Sequence, residues 1–180
     1  MDLGLAKKGA LVMASSGGIG RGVAAELASE GARVMLFARS EEKLIDAVSA
    51  IEAETGNRPL YTVGDITSAD DVYGVVEKTV AEFGGLWALF NNTGGPPAGG
   101  FEDFDDAAWQ TAFELTTLSY VRAIRAALIP MKAAGGGRIV NNTSVSTKTA
   151  IDSLLLSNVF RSGLVGLGKS LARELGPCLL

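Results

Sequence analysis

The segment Met13-Ala14-Ser15-Ser16-Gly17-Gly18-Ile19-Gly20 limits what the chain can fold into more than any other stretch. Three of its last four residues are glycine, so the backbone can turn tightly and a ligand can approach it closely. An apolar run, residues 9–14 (GALVMA), precedes it and reads as a buried strand. A helical pattern follows over residues 18–30, with Ile19, Val23 and Leu27 expected on one buried face. A strand that breaks at glycines and restarts as a helix leaves free N–H groups and a positive dipole end at the turn. Such a turn seats a phosphate. The alternative is a plain strand-to-helix turn; the strand before it and the helix after it favour the nucleotide reading.

The rest of the chain repeats this alternation. Gly31 ends the first helix, and residues 32–38 (ARVMLFA) form a second strand. Ser40 caps a helix running to about residue 54, with Lys43 at its third position. Residues 59–63 form a third strand, and Ser68 caps a helix striped by Val72, Val75, Val76, Val80 and Phe83. Residues 86–90 form a fourth strand, followed by a Gly- and Pro-rich loop over residues 93–100. Asp105 or Asp106 opens a long helix to about residue 131; residues 137–142 hold a fifth strand, and residues 154–175 a last helix. Continuous apolar strands joined by helices predict a doubly wound parallel sheet of five strands in a three-layer α/β/α (Rossmann-type) arrangement. The 180 residues suit a single dinucleotide-binding domain over 1–180.

Composition narrows the chemistry. The net charge of −4 gives no reason to expect nucleic acid or an anionic membrane as partner. No apolar run reaches the length of a membrane span, and the first eight residues lack the apolar stretch of a secretory signal. The single cysteine, Cys178, cannot form an internal disulfide, and a cytoplasmic location is expected. The absence of histidine removes the commonest general base, the commonest metal ligand and any Ser-His-Asp triad, and no metal site is expected.

The glycine segment resembles the T-G-x-x-x-G-I-G loop of the short-chain dehydrogenases/reductases, and the resemblance runs almost to the end of the chain. Asp65, in Val63-Gly64-Asp65-Ile66-Thr67, falls where that family holds the adenine. Asn91-Asn92-Thr93-Gly94 resembles its N-N-A-G after the fourth strand. Gly137-Arg138-Ile139-Val140-Asn141-Asn142-Thr143-Ser144 resembles the strand that delivers the catalytic Ser, and residues 167–177 (LGKSLARELGP) resemble the end of its last catalytic helix. The nearest branch is that of the 3-oxoacyl-acyl-carrier-protein reductases. The resemblance implies hydride transfer between a nicotinamide cofactor and a small carbonyl or alcohol substrate. It implies cofactor contacts at Ala14, Ser15, Ser16, Gly17, Gly18, Ile19 and Gly20, at Asp65 and Ile66, at Asn92, Thr93 and Gly94, and at Arg161. The first loop glycine is replaced by Ala14, so a slightly altered turn with binding retained is expected.

NADP is expected ahead of NAD. The acidic residue that accepts the ribose 2′-OH at the end of strand two is Ala38 here, and Arg39 follows it; a guanidinium suits a 2′-phosphate. The catalytic set departs further. Ser144 matches the family Ser, but Ser157 falls at the Tyr position, Arg161 at the Lys position and Thr116 near the Asn that holds a relay water. A serine hydroxyl is too weak an acid near neutral pH, and arginine stays charged. Lys148, four residues after Ser144, and Tyr120, one turn after Thr116, are the candidate proton donors, with a bound water as the fallback; the lysine qualifies on the condition that it is desolvated near Arg161. An exposed loop lysine is its alternative. Family members continue beyond the Leu-Gly-Pro that ends at Pro177. Strand five is therefore expected at a sheet edge with Ile139 and Val140 exposed. Self-association is expected through the two long C-terminal helices. A non-catalytic dinucleotide-binding protein, or an inert truncated product, is the rival to an oxidoreductase.

Overall fold

A computed structural model describes residues 3–179, with side chains described for residues 3–176. Cys178 and Pro177 therefore lie outside the described side chains. Five strands, β1 (Gly9–Met13), β2 (Arg33–Ala38), β3 (Leu60–Val63), β4 (Ala88–Asn91) and β5 (Arg138–Asn141), form one sheet in the order β3-β2-β1-β4-β5. Every neighbouring pair is parallel. The order reverses between β1 and β4, and a parallel sheet of this kind opens a crevice at that point, beyond the carboxyl ends of the strands.

Six helices connect and cover the strands: α1 (Gly18–Ser29), α2 (Glu41–Thr55), α3 (Ala69–Phe83), α4 (Asp106–Phe113), α5 (Ser119–Ala133) and α6 (Leu155–Leu179). Ser40, Ser68 and Asp105 cap α2, α3 and α4 through side chains that accept from the backbone N–H three residues on. Gly56 and Gly84 close α2 and α3 with left-handed backbones, as glycine permits. Alternate strand residues feed two cores. Leu11, Met13, Met35, Phe37 and Leu89 pack with Val72, Val75, Val76 and Phe83 of α3 and with Ala123, Ile124 and Ala127 of α5. Val12, Val34 and Leu36 pack with Ala24 and Ala28 of α1 and Leu44, Val48 and Ile51 of α2. Two cores on one sheet are what three layers require.

Three local expectations change. The buried face of α1 is Gly20, Ala24 and Ala28, not Ile19, Val23 and Leu27. Ile19 is 62% exposed at the start of the helix, with Val23 and Leu27 half-buried on the flank. The helix lies too close to the sheet for a branched residue: a Cβ on Gly20 would sit on the Ala14 carbonyl oxygen and 2.9 Å from Ser15 Cα. Second, the long helix from Asp106 changes its pitch midway. A five-residue π-turn, Glu114–Leu118, separates α4 from α5 and carries Thr116. Third, at the β5 edge Val140 is 53% exposed, but Ile139 is only half-exposed because it packs on the larger core.

Candidate functional site

Strand β1 ends one residue earlier than its apolar run, at Met13, because Ala14 turns out of the strand with φ +49°. Ala14 therefore adopts a left-handed conformation, the region that favours glycine, although it carries a Cβ. The strain costs about 1–2 kcal/mol for an L-residue. Gly18 is also left-handed, at φ +53°. Nothing lies within 4 Å of the space a Cβ would take at Gly17 or Gly18, and both are exposed. The N-cap residue Gly17 has no side chain to satisfy the first N–H groups of α1. A cradle with open space above two glycines and free N–H groups at a helix start has the chemistry of a pyrophosphate seat.

Side chains hold this turn from beneath. Ser15 is fully buried; its hydroxyl donates to the Val12 carbonyl at 2.7 Å and accepts from Phe37 N at 2.9 Å. Ser15 was expected to touch the cofactor, and here its side chain is used up in tying the loop to β2. Asn92 donates through Nδ2 to the Ala14 carbonyl at 3.3 Å and accepts at Oδ1 from Asn142 Nδ2 at 2.9 Å. Beside this chain, Asn91 Nδ2 donates to Asn141 Oδ1 at 2.9 Å. These paired asparagines stitch the carboxyl ends of β1, β4 and β5 together. Sequence reasoning missed Asn141 and Asn142 as partners. The available signal was the Asn-Asn pair closing each of two strands that align Asn91 with Asn141.

On the β2–β3 side, Asp65 accepts from Thr67 N at 2.8 Å and from the Thr67 hydroxyl at 2.7 Å. The Thr67 N–H holds its carboxyl below the usual range, helped by the Thr67 hydroxyl and the charge of Arg39, against partial burial. Arg39 is exposed, and Ile66 is half-buried beside Asp65. In the glycine segment Ser16 is half-buried and Ile19 is exposed.

On the β4–β5 side, Ser144 follows β5 and opens a 3-10 turn, Val145–Thr147; its Oγ accepts from Ser146 N at 3.1 Å. That bond uses a lone pair and leaves the hydroxyl proton to donate. The Ser146 hydroxyl, buried behind it, has no partner among the described residues. Ser157 lies nearly buried in the first turn of α6. Arg161, one turn on, is 6% exposed; Nη1 donates to the carbonyls of Asn142 (3.2 Å) and Thr143 (3.4 Å), and Nη2 to the Gly94 carbonyl (3.2 Å) and Thr93 Oγ1 (3.4 Å). Thr93 Oγ1 in turn donates to the Gly94 carbonyl at 2.7 Å.

Two expected donors are repositioned. Lys148 is exposed at the end of the 3-10 turn, so the desolvation required to make it an acid is not provided. Tyr120 is fully buried, and its hydroxyl donates to the Asn142 carbonyl at 2.6 Å. Burial pushes the phenol up, and the adjacent Arg161 charge and hydrogen bonds to Arg161 and Thr93 pull it back. Thr116 is also fully buried; its hydroxyl donates to the Ala112 carbonyl at 2.5 Å within its own helix, so its proton is already engaged there. Two loops are joined just before the start of α6. Gly99 N donates to Ser153 O at 2.6 Å, and the Asn158 side chain clasps the Ile151 backbone through both N–H and C=O.

Comparison with known proteins matches this geometry to one family. Residues 8–178 match the model of the short chain dehydrogenases. Nodulation protein G of Rhizobium sp. (strain N33) is 34% identical over 166 residues, spanning 92% of this chain and 66% of that protein. The L-sorbose reductase from Gluconobacter frateurii, solved with NADPH and L-sorbose, superposes with a TM-score of 0.93 at 33% identity, over 97% of this chain and 66% of that one. An NADPH-bound short chain oxidoreductase from Pseudomonas aeruginosa PAO1, described as containing an atypical catalytic center, gives a TM-score of 0.90 at 27% identity, over 96% and 68%. The chain thus spans about two thirds of the length of the relatives it matches.

Proposed function

This chain belongs to the short-chain dehydrogenase family, and on that premise we propose that it binds NADP(H) across the carboxyl ends of its strands and serves hydride transfer between NADPH and a carbonyl or alcohol. The observation that carries the reading is the turn at Ala14–Gly20: left-handed Ala14 and Gly18, open space over Gly17 and Gly18, and an uncapped α1 start. The pyrophosphate sits there, with backbone N–H groups and the α1 dipole facing it. Asp65 and Arg39 mark the adenosine end, and Arg39 without a carboxylate at Ala38 favours the 2′-phosphate. NADPH-bound relatives of this fold support that choice. The dinucleotide, when bound, supplies the hydride.

At the other end Ser144 donates its free proton to the substrate oxygen. Ser157 gives no proton, because its hydroxyl is too weakly acidic and no histidine exists to assist it. Arg161 stays charged throughout. With Lys148 exposed, water on the solvent side is the proton source in this reading, and Lys148 is the alternative that its variant tests. A second reading, binding without turnover, is supported by the sequence reading that sets Ser157 and Arg161 at the family's Tyr and Lys positions. Self-association through α5 and α6 is part of the proposal, and a monomer in small-angle scattering at high concentration counts against it.

One preparation tests the two readings. NADPH fluorescence titration is expected to saturate, with NADH binding more weakly; no saturation sinks both. NADPH oxidation with a reactive diketone then separates oxidoreductase from binding protein. Loss of roughly 10²-fold in Lys148→Met assigns the proton to the lysine, and an unchanged rate assigns it to water.

A further inference from the structure

Arg161 is a buried cation with no carboxylate within ion-pair distance among the described residues. A guanidinium has five N–H groups. Four of them go to neutral acceptors: the carbonyls of Gly94, Asn142 and Thr143 and the Thr93 hydroxyl. Tyr120 adds to this cage, since its hydroxyl donates to the same Asn142 carbonyl that Arg161 uses. The group is thus fixed on several sides while its charge is left uncompensated. A charge held this way in a partly dry crevice acts over several ångströms with little screening.

Resting on the dinucleotide reading above, the arrangement has a consequence for the cofactor's oxidation state. The glycine turn lies at β1, Asp65 beyond β3, and Arg161 against the ends of β4 and β5. A dinucleotide with its adenosine at Asp65 and its pyrophosphate at the turn extends its nicotinamide end toward β4 and β5. The reduced nicotinamide ring is neutral and the oxidised ring carries one positive charge. We propose that Arg161, caged by Thr93 and Tyr120, is a fixed charge that makes this site select reduced NADPH over NADP⁺. The oxidised form is repelled and leaves; the reduced form is retained.

The test is an equilibrium one and needs no turnover. Kd for NADPH is read from fluorescence titration, and Kd for NADP⁺ from competition against it. The parent is expected to favour NADPH by about tenfold or more, the size of one like-charge contact at an intermediate dielectric. Arg161→Lys keeps the charge and is expected to keep the preference, even if both affinities fall. Arg161→Met is expected to lose it. Thr93→Asp sets a carboxylate against the guanidinium and is expected to lose the preference with Arg161 still in place, which carries the test if Arg161→Met fails to fold by circular dichroism. A packing role would move both Kd values together and leave their ratio alone. Equal parental affinities, or a ratio unchanged in Arg161→Met and in Thr93→Asp, overturns the proposal while leaving the dinucleotide site intact; absence of binding of either form overturns the dinucleotide reading itself.

Discussion

The turn after β1 and the face formed by Ser144, Ser157 and Arg161 both depart from the family pattern on the sequence reading, with opposite consequences. In the first, Ala14 takes a left-handed backbone of the kind that favours glycine, at φ +49°. In the second, Ser157 and Arg161 of α6 are set by the sequence reading at the positions of the family's tyrosine and lysine, and on that reading neither side chain is a proton donor near neutral pH. The difference lies in what each region offers a ligand. The turn offers backbone N–H groups and empty space, which survive a change of side chain if the strain of about 1–2 kcal/mol is met elsewhere. The catalytic face offers side-chain atoms of particular acidity, and no backbone geometry restores a phenol.

The comparison breaks most visibly at Gly20, where space rather than chemistry is at stake. Gly20→Val puts branched carbons onto the Ala14 carbonyl and Ser15. Expected are a stability loss of about 3 kcal/mol and no saturable NADPH binding, read by chemical denaturation and fluorescence. A Gly20→Val protein that binds like the parent would show that the turn does not make the seat. Next in size is Ser144→Ala, which is expected to lower diketone-dependent NADPH oxidation by about 10²-fold and leave NADPH affinity unchanged. Parallel loss of both would make Ser144 a structural cap.

Arg39→Asp is expected to swing the ratio of NADPH to NADH affinity by roughly tenfold or more toward NADH, since the guanidinium near Asp65 is the only side chain argued to meet a 2′-phosphate. An unmoved ratio would leave the adenosine end without a selector. Ala14→Gly sharpens the contrast from the other direction. Relief of the left-handed strain is expected to stabilise the fold by about 1 kcal/mol, or about 2–4 °C in Tm, with binding kept; calorimetry decides. Smallest is Ser157→Ala, which is expected to hold turnover within about threefold, because a hydroxyl this weak contributes little as an acid. A dead Ser157→Ala enzyme that still binds NADPH refutes the assignment of the proton to the solvent side.

By itself the sequence determined the alternation of strands and helices, the caps at Ser40, Ser68 and Asp105, the glycine turn and the absence of a tyrosine at position 157. All of these are local: a cap reads three residues ahead, and a strand or helix shows its period within one window. Tertiary structure decided the rest. The small face of α1 follows from how near the sheet lies, which no helical period reports, so Ile19 reads as core in the sequence and is exposed at the crevice in the fold. The asparagine stitching requires β1 beside β4 and β4 beside β5, partners 50 to 78 residues apart in the chain. The same holds for Arg161, whose role depends on carbonyls from two strand ends and on a Tyr120 hydroxyl from another helix. Lys148 and Arg161 are both cations, but the fold leaves one in water and the other out of it, and burial is a property of the whole packing and not of a residue's neighbours in sequence.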